Sequence, residues 1–234
     1  MNREGGSVTY VKICGITNLE DARCAAGAGA DFLGFILYVK SPRYIAPEPA
    51  GDIRQAIRAE FGESPRCVGV FVDEPADTVR AIMAAAHLDL AQLHSVETPD
   101  IVAALAPRAF KALRPQTLAE AQEAFNAYGP PSLAYRLPST VPDLLVDAYH
   151  PQQMGGTGQI ADLEIARWLA ERCRLLLAGG LTPDNVADAI AQVHPWGVDV
   201  ASGVEASKGK KDHAKVKAFI AAAKSRNLNF EGKS

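Results

Sequence analysis

A cysteine, two aspartates and an arginine stand where their chemistry could be used in this chain of 234 residues. Cys14 closes the run Val11-Lys12-Ile13-Cys14 and is followed at once by Gly15. A thiolate at the end of a strand could act as base or nucleophile if a helix N-terminus or a cation stabilised it. The alternative is a small buried hydrophobe, the reading that suits Cys24 in its Ala-rich segment. Asp147 follows Leu144-Leu145-Val146, and a carboxyl drawn out of water favours the protonated form that a general acid needs. Asp199, inside another apolar run, reads equally as a structural hydrogen-bonding group or as a polar contact to a ligand. Arg43 comes after Ser41-Pro42, where the proline stiffens its loop, and a guanidinium suits bidentate capture of a carboxylate. An ordinary surface arginine is the plain alternative. His94 is either a ligand contact or a packed polar group.

Glycines supply the second kind of chemistry. Backbone N–H groups crowd around a phosphate only where no Cβ interferes, and a following helix adds a favourable field. Gly179-Gly180 precede Thr182-Pro183, and Ser202-Gly203 follow one strand later, the placement of a barrel phosphate site. Tight turns alone would also explain such pairs. Gly155-Gly156-Thr157-Gly158 lacks the lysine and spacing of a P-loop, so it reads as a flap in which Gly156 adds one N–H to the phosphate. No metal is expected: His87, His94, His150, His194 and His213 show no ligand spacing, and the four cysteines form no Cys-x-x-Cys pair. Cysteines so spaced suggest neither disulfides nor zinc, and a cytoplasmic setting is expected.

These residues need a frame. Eight short apolar runs are predicted strands: Val8–Cys14, Phe32–Ile36, Cys67–Val72, Leu90–Leu93, Phe110–Leu113, Leu144–Asp147, Leu175–Ala178 and Val198–Ala201. Most are apolar at consecutive positions, as in parallel strands covered on both faces. Helices are expected near 18–28, 47–60, 75–86, 98–105, 117–128, 161–172, 183–193 and 212–225. Thr17-x-x-Glu20 reads as a capping box, and Thr98-Pro99 and Thr182-Pro183 as N-cap and first helical residue. The alternation predicts a single-domain (βα)8 TIM barrel with a parallel eight-stranded sheet, a doubly wound open sheet being second. Its expected extent is 8–225, with a flexible leader at 1–7 and a polar tail at 226–234.

Composition narrows the partners. The formal net charge of −3 argues against nucleic acid held by phosphate neutralisation. Lys208-Gly209-Lys210-Lys211 reads as a solvated turn. No apolar run approaches a membrane span, and the first residues carry no secretory signal. The expected partner is a phosphorylated small molecule, bound by a monomer or homodimer.

Together the motifs identify a family. Val11-Lys12-Ile13-Cys14-Gly15-Ile16-Thr17, Gly34-Phe35 with Ser41-Pro42-Arg43-Tyr44, Val68-Gly69-Val70-Phe71 and Gln92-Leu93-His94 are similar to phosphoribosylanthranilate isomerases of tryptophan biosynthesis. Gly155-Gly156-Thr157-Gly158, Ala178-Gly179-Gly180-Leu181 and Asp199-Val200-Ala201-Ser202-Gly203-Val204-Glu205 continue the resemblance in family order over nearly the whole chain. It implies a (βα)8 barrel without metal or cofactor that performs an Amadori rearrangement of an aminoaldose to an aminoketose. By motif, the general base falls on Cys14 and the general acid on Asp147. Arg43 would hold the anthranilate carboxylate. His94, Asp199, Gly156, Gly179, Gly180, Ser202 and Gly203 would contact sugar and phosphate. Ser95 departs from the glycine usual after the histidine, and the Pro-rich segment Tyr128–Pro142 is longer than the pattern. A histidine-pathway isomerase would carry aspartate where Cys14 stands, and no Lys/Glu set suggests an indole-glycerol-phosphate synthase. A catalytically silent phosphate-binding barrel is the reading from another class.

Overall fold

Strands apolar at every position need cover on both sides, and here they obtain it by closing on themselves. In the computed structural model, which describes residues 9–130, 138–147 and 158–225, eight parallel strands pair in chain order as a closed barrel. They are β1 (Tyr10–Cys14), β2 (Phe32–Ile36), β3 (Arg66–Phe71), β4 (Leu90–Leu93), β5 (Ala109–Leu113), β6 (Leu144–Asp147), β7 (Leu175–Ala178) and β8 (Gly197–Val200). β8 returns to β1 with Lys12 opposite Asp199, while Cys14 lies opposite Gly34 of β2. The helices between them are α1 (Leu19–Gly27), α2 (Pro47–Phe61), α3 (Ala76–Ala85), α4 (Pro99–Ala104), α5 (Leu118–Tyr128), α6 (Gly158–Ala170), α7 (Val186–Val193) and α8 (His213–Lys224). The expected (βα)8 barrel is the observed fold. The expected leader, the tail and most of the flap containing Gly156 lie outside the described residues.

Alternation along each strand divides the core in two. Val11, Ile13, Leu33, Phe35, Leu144 and Val146 pack outward against the helices. Phe32, Val68, Leu90, Phe110, Leu145 and Leu176 fill the barrel interior, with Tyr10 and Trp196 against them. Tyr10 and Trp196 stack with ring centroids 4.0 Å apart and close the N-terminal end, and Phe32 tilts onto both. The same face of β1 then carries Lys12 and Cys14 upward, so the interior turns from apolar to charged toward the C-terminal mouth.

Several helix starts differ from the sequence expectation. The cap of α1 is Asn18, whose side chain accepts from the Asp21 N–H at 2.8 Å. Thr17 does not cap; its hydroxyl donates to the Gly209 carbonyl, 2.5 Å away, a long-range contact no local pattern reveals. Thr98 precedes α4 with Pro99 in the first turn, as expected, but its hydroxyl makes no capping bond. A reciprocal cap does form at α5: Thr117 accepts from the Glu120 N–H, and Glu120 accepts from the Gln116 N–H. Helix α7 begins at Val186, after a turn through Thr182 that Asn185 ties together.

The basic run is also corrected. Between β8 and α8 the chain makes a 3-10 turn (Ser202–Val204) and a short hairpin of β9 (Glu205–Ser207) and β10 (Lys210–Lys211). Lys211 is buried there, and its ammonium donates to the Ala201 carbonyl at 3.0 Å and to Glu205 at 3.3 Å. Among the described residues no helix is long and apolar enough to cross a membrane.

Candidate active site

The C-terminal strand ends bring the candidate residues to one mouth. Cys14 ends β1 and is buried. Two positions earlier on the same face, Lys12 is fully buried, and its ammonium meets Asp199 of β8 at 2.8 Å. Burial pushes the Cys14 thiol above its ordinary range, against the pull of Lys12, while Asp199 adds to the upward push. Burial would lower Lys12, but the Asp199 carboxylate and the Cys14 sulfur together hold it above its usual value. Asp199 is thus an ion-pair partner inside the barrel, whatever it also offers a ligand.

Asp147 ends β6, nearly opposite Cys14 around the barrel. It is half-buried, not sealed off, and its Oδ2 lies 2.6 Å from Nη2 of Arg114, which is 63% exposed. His94 follows β4 and lies between these groups. Its Nδ1 is 3.1 Å from Gln92 Nε2, and burial followed by the charge of Arg114 keeps the ring below its ordinary pKa. If the Gln92 amide donates in that contact, the ring presents its Nε2–H to the mouth. Gln92 Oε1 has no hydrogen-bond partner among the described residues.

Arg43, on the loop after β2, reaches across to the last hairpin. Its Nε and Nη2 each lie 2.7 Å from a different oxygen of Glu205. That pair of bonds raises Arg43 further. Burial would raise Glu205, but Arg43 and Lys211 bring it below the ordinary carboxylate range. The guanidinium therefore spends one edge on Glu205, and its end-on edge of Nη1 and Nη2 is what remains for a ligand carboxylate.

The glycine groups meet on adjacent loops. Gly179 and Gly180 take φ of +100° and +59°, the left-handed region that suits glycine. Gly203 lies so close to the β7 loop that a Cβ would fall 1.8 Å from the Leu181 carbonyl oxygen. Its glycine is thus already required by packing. Ser202 is exposed beside it, and Gly156 lies outside the described residues. A separate cavity of about 420 Å³ opens at the opposite, N-terminal end, lined by Tyr10, Phe32, Arg66 and Asp89. It is remote from these strand ends.

Sequence reasoning assigned no role to Lys12, Arg114, Glu205 or Lys211. Lys12 had a local signal, a lysine two residues from Cys14 in an otherwise apolar strand. The other three are joined by pairings that span loops. Among the described residues no cluster of three or more His, Cys, Asp or Glu could hold a metal.

Comparison with known proteins bears on this arrangement. A family model described as N-(5'phosphoribosyl)anthranilate (PRA) isomerase matches residues 11–222. The N-(5'-phosphoribosyl)anthranilate isomerase of Geobacter sp. (strain M21) is 47% identical over 217 residues, covering 93% of this chain and 98% of its own. That of Roseiflexus castenholzii is 44% identical over 218 residues, covering 92% and 97%. The crystal structure of phosphoribosyl anthranilate isomerase from Thermotoga maritima superposes with a TM-score of 0.77 at 38% identity, covering 93% of this chain and 99% of that one. Another solved isomerase, 37% identical with a TM-score of 0.76 over the same shares, is in complex with reduced 1-(o-carboxyphenylamino)-1-deoxyribulose 5-phosphate. With its motifs in order, its barrel closed and its length matched almost end to end, this chain belongs to the N-(5′-phosphoribosyl)anthranilate isomerase family.

Proposed function

We propose that Cys14 and Asp147 are the base and acid with which this chain isomerises N-(5-phosphoribosyl)anthranilate to 1-(2-carboxyphenylamino)-1-deoxyribulose 5-phosphate in tryptophan biosynthesis. The observation that carries the assignment is their placement on well-separated strand ends of one charged mouth, Cys14 on β1 and Asp147 on β6. Asp147 gives a proton to the furanose ring oxygen as the C1′–O bond breaks and the nitrogen lone pair forms the iminium. The Cys14 thiolate takes the C2′ proton, now acidified, and the C–H electrons form the C1′=C2′ bond of the enolamine. The C2′ hydroxyl then loses its proton while C1′ gains one, which leaves the ketone. Electrons move only within the substrate, so the scheme calls for no external redox partner.

Binding positions C2′ between the two groups. Arg43 receives the anthranilate carboxylate on its end-on edge, while Glu205 holds the other edge. The N–H groups around Gly179, Gly180, Ser202 and Gly203, with Gly156 from the flap, receive the phosphate. His94 and Asp199 face the sugar. The partner is this phosphorylated small molecule, with no nucleic acid and no membrane, acting in the cytoplasm on a monomer or homodimer.

Calorimetry with the reduced product analogue tests the binding arrangement without turnover. Saturable binding by the wild type, weakened at least about tenfold in Arg43→Ala, is expected for a lost charge-assisted contact. Equal affinity in the two proteins would remove Arg43 from the carboxylate site.

A further inference from the structure

We propose that Lys12 is the counter-ion that makes Cys14 usable as a base, and that Asp199 sets how much of its charge the sulfur receives. Lys12 takes this role only if Cys14 is the base, as assigned above. The lysine has no access to solvent, and withdrawing an ammonium from water is costly, so packing alone is a poor reason for it. Its one carboxylate partner among the described residues is Asp199. It shares the inner face of β1 with Cys14. Gly34, opposite Cys14 on β2, keeps a space open between them: a Cβ there would lie 2.7 Å from Cys14 Sγ and 3.1 Å from Lys12 Nζ. Sulfur and ammonium therefore converge on the same small volume.

The neighbouring charges leave room for a thiolate. Facing Cys14 besides Lys12 and Asp199 are Lys211 from the hairpin and Arg43 from the loop after β2. Those two cations share the single carboxylate of Glu205. His94, from β4, faces Lys12 and Asp199, and burial favours its neutral ring. Lys12, Arg43 and Lys211 against Asp199 and Glu205 leave one positive charge in excess, which a Cys14 thiolate balances. During proton transfer the sulfur lone pair takes the C2′ proton and Lys12 keeps its own, so Lys12 is a positioning residue.

The thiol itself gives the readout. With Cys24, Cys67 and Cys173 each replaced by alanine, Cys14 is the one thiol left, and its alkylation by iodoacetamide is followed against pH. Lys12→Met should move the midpoint up by about one pH unit or more, equivalent to tenfold less thiolate at neutral pH. The limb of kcat/KM that Cys14 ionisation governs should move with it, and KM should change little. Asp199→Asn should move the alkylation midpoint down, because a carboxylate that opposes the thiolate is gone. An unmoved midpoint in Lys12→Met, or shifts of the same sign in both variants, overturns the proposal. If Lys12→Met does not fold, an unchanged or raised midpoint in Asp199→Asn does so alone. Midpoints that move as expected while kcat/KM ignores them would instead overturn Cys14 as the base.

Discussion

Cys14 sits beside a lysine already claimed by Asp199, whereas Asp147 is held by an arginine that is mostly exposed. The proposed base and acid therefore respond to different perturbations. Asp147→Asn keeps the shape of the side chain and removes the transferable proton, so kcat should fall by at least about 10²-fold while the reduced product analogue still binds. Near-normal turnover in that variant, measured by steady-state kinetics, would remove Asp147 as the acid. The pH profile reports on Cys14. Burial holds its thiol above the ordinary range, so the thiolate fraction increases tenfold per pH unit throughout the neutral region. The rate of Cys14 alkylation by iodoacetamide should therefore rise about tenfold per pH unit from about pH 7 to pH 8. A flat profile there would mean that the thiol is already ionised. His94, lowered by burial and Arg114, stays neutral across that window and adds no inflection.

The loops after β3 and β4 are strapped together by a buried ion pair. Lys111 on β5 donates to Glu97 at 2.7 Å and also to the Ser95 carbonyl. Glu97 accepts from the N–H groups of Asp73 and Ser95, and the Tyr128 hydroxyl donates to its carbonyl. The carbonyl and carboxylate acceptors make it possible to leave Lys111 charged inside the protein. Glu97→Gln should destabilise the fold by about 3–5 kcal/mol, because it strands a buried ammonium. Urea unfolding checks this, and a loss below about 1 kcal/mol would mean that the strap is dispensable. Burial would raise Glu97, but the bonds from Lys111 and the Asp73 N–H outweigh it and hold it below its ordinary range. The unfolded chain thus binds that proton first. The pair's contribution is intact above the ordinary carboxylate value and is lost as pH falls through the lower folded one.

At the scale of the whole molecule, much of the barrel is legible because one physical cause acts throughout. Residues buried on both faces must be apolar at consecutive positions, and runs such as Leu175–Ala178 show it directly. The strand ends then point to Cys14, Asp147 and His94 by position alone. What escapes the sequence is long-range pairing. Thr17 leaves its expected cap for Gly209, and Lys211 leaves its expected solvated turn for Glu205. Arg114 reaches Asp147 from the neighbouring strand end. Lys12 had a visible signal, but its partner Asp199 lies 187 positions away. Local patterns thus give the frame and the candidate acid and base, while the electrostatic setting of both comes from tertiary structure.

If this mouth isomerises N-(5-phosphoribosyl)anthranilate with Cys14 as base, turnover depends on that thiol. The most direct measurement follows the loss of anthranilate-type fluorescence when purified protein meets that substrate, generated in situ, beside the Cys14→Ala variant. Rapid loss with the wild type, slowed at least about 10²-fold in the variant, is the predicted result. Equally rapid loss with both would contradict the role of Cys14, and no loss with either, despite saturable binding of the reduced product analogue, would contradict the activity itself.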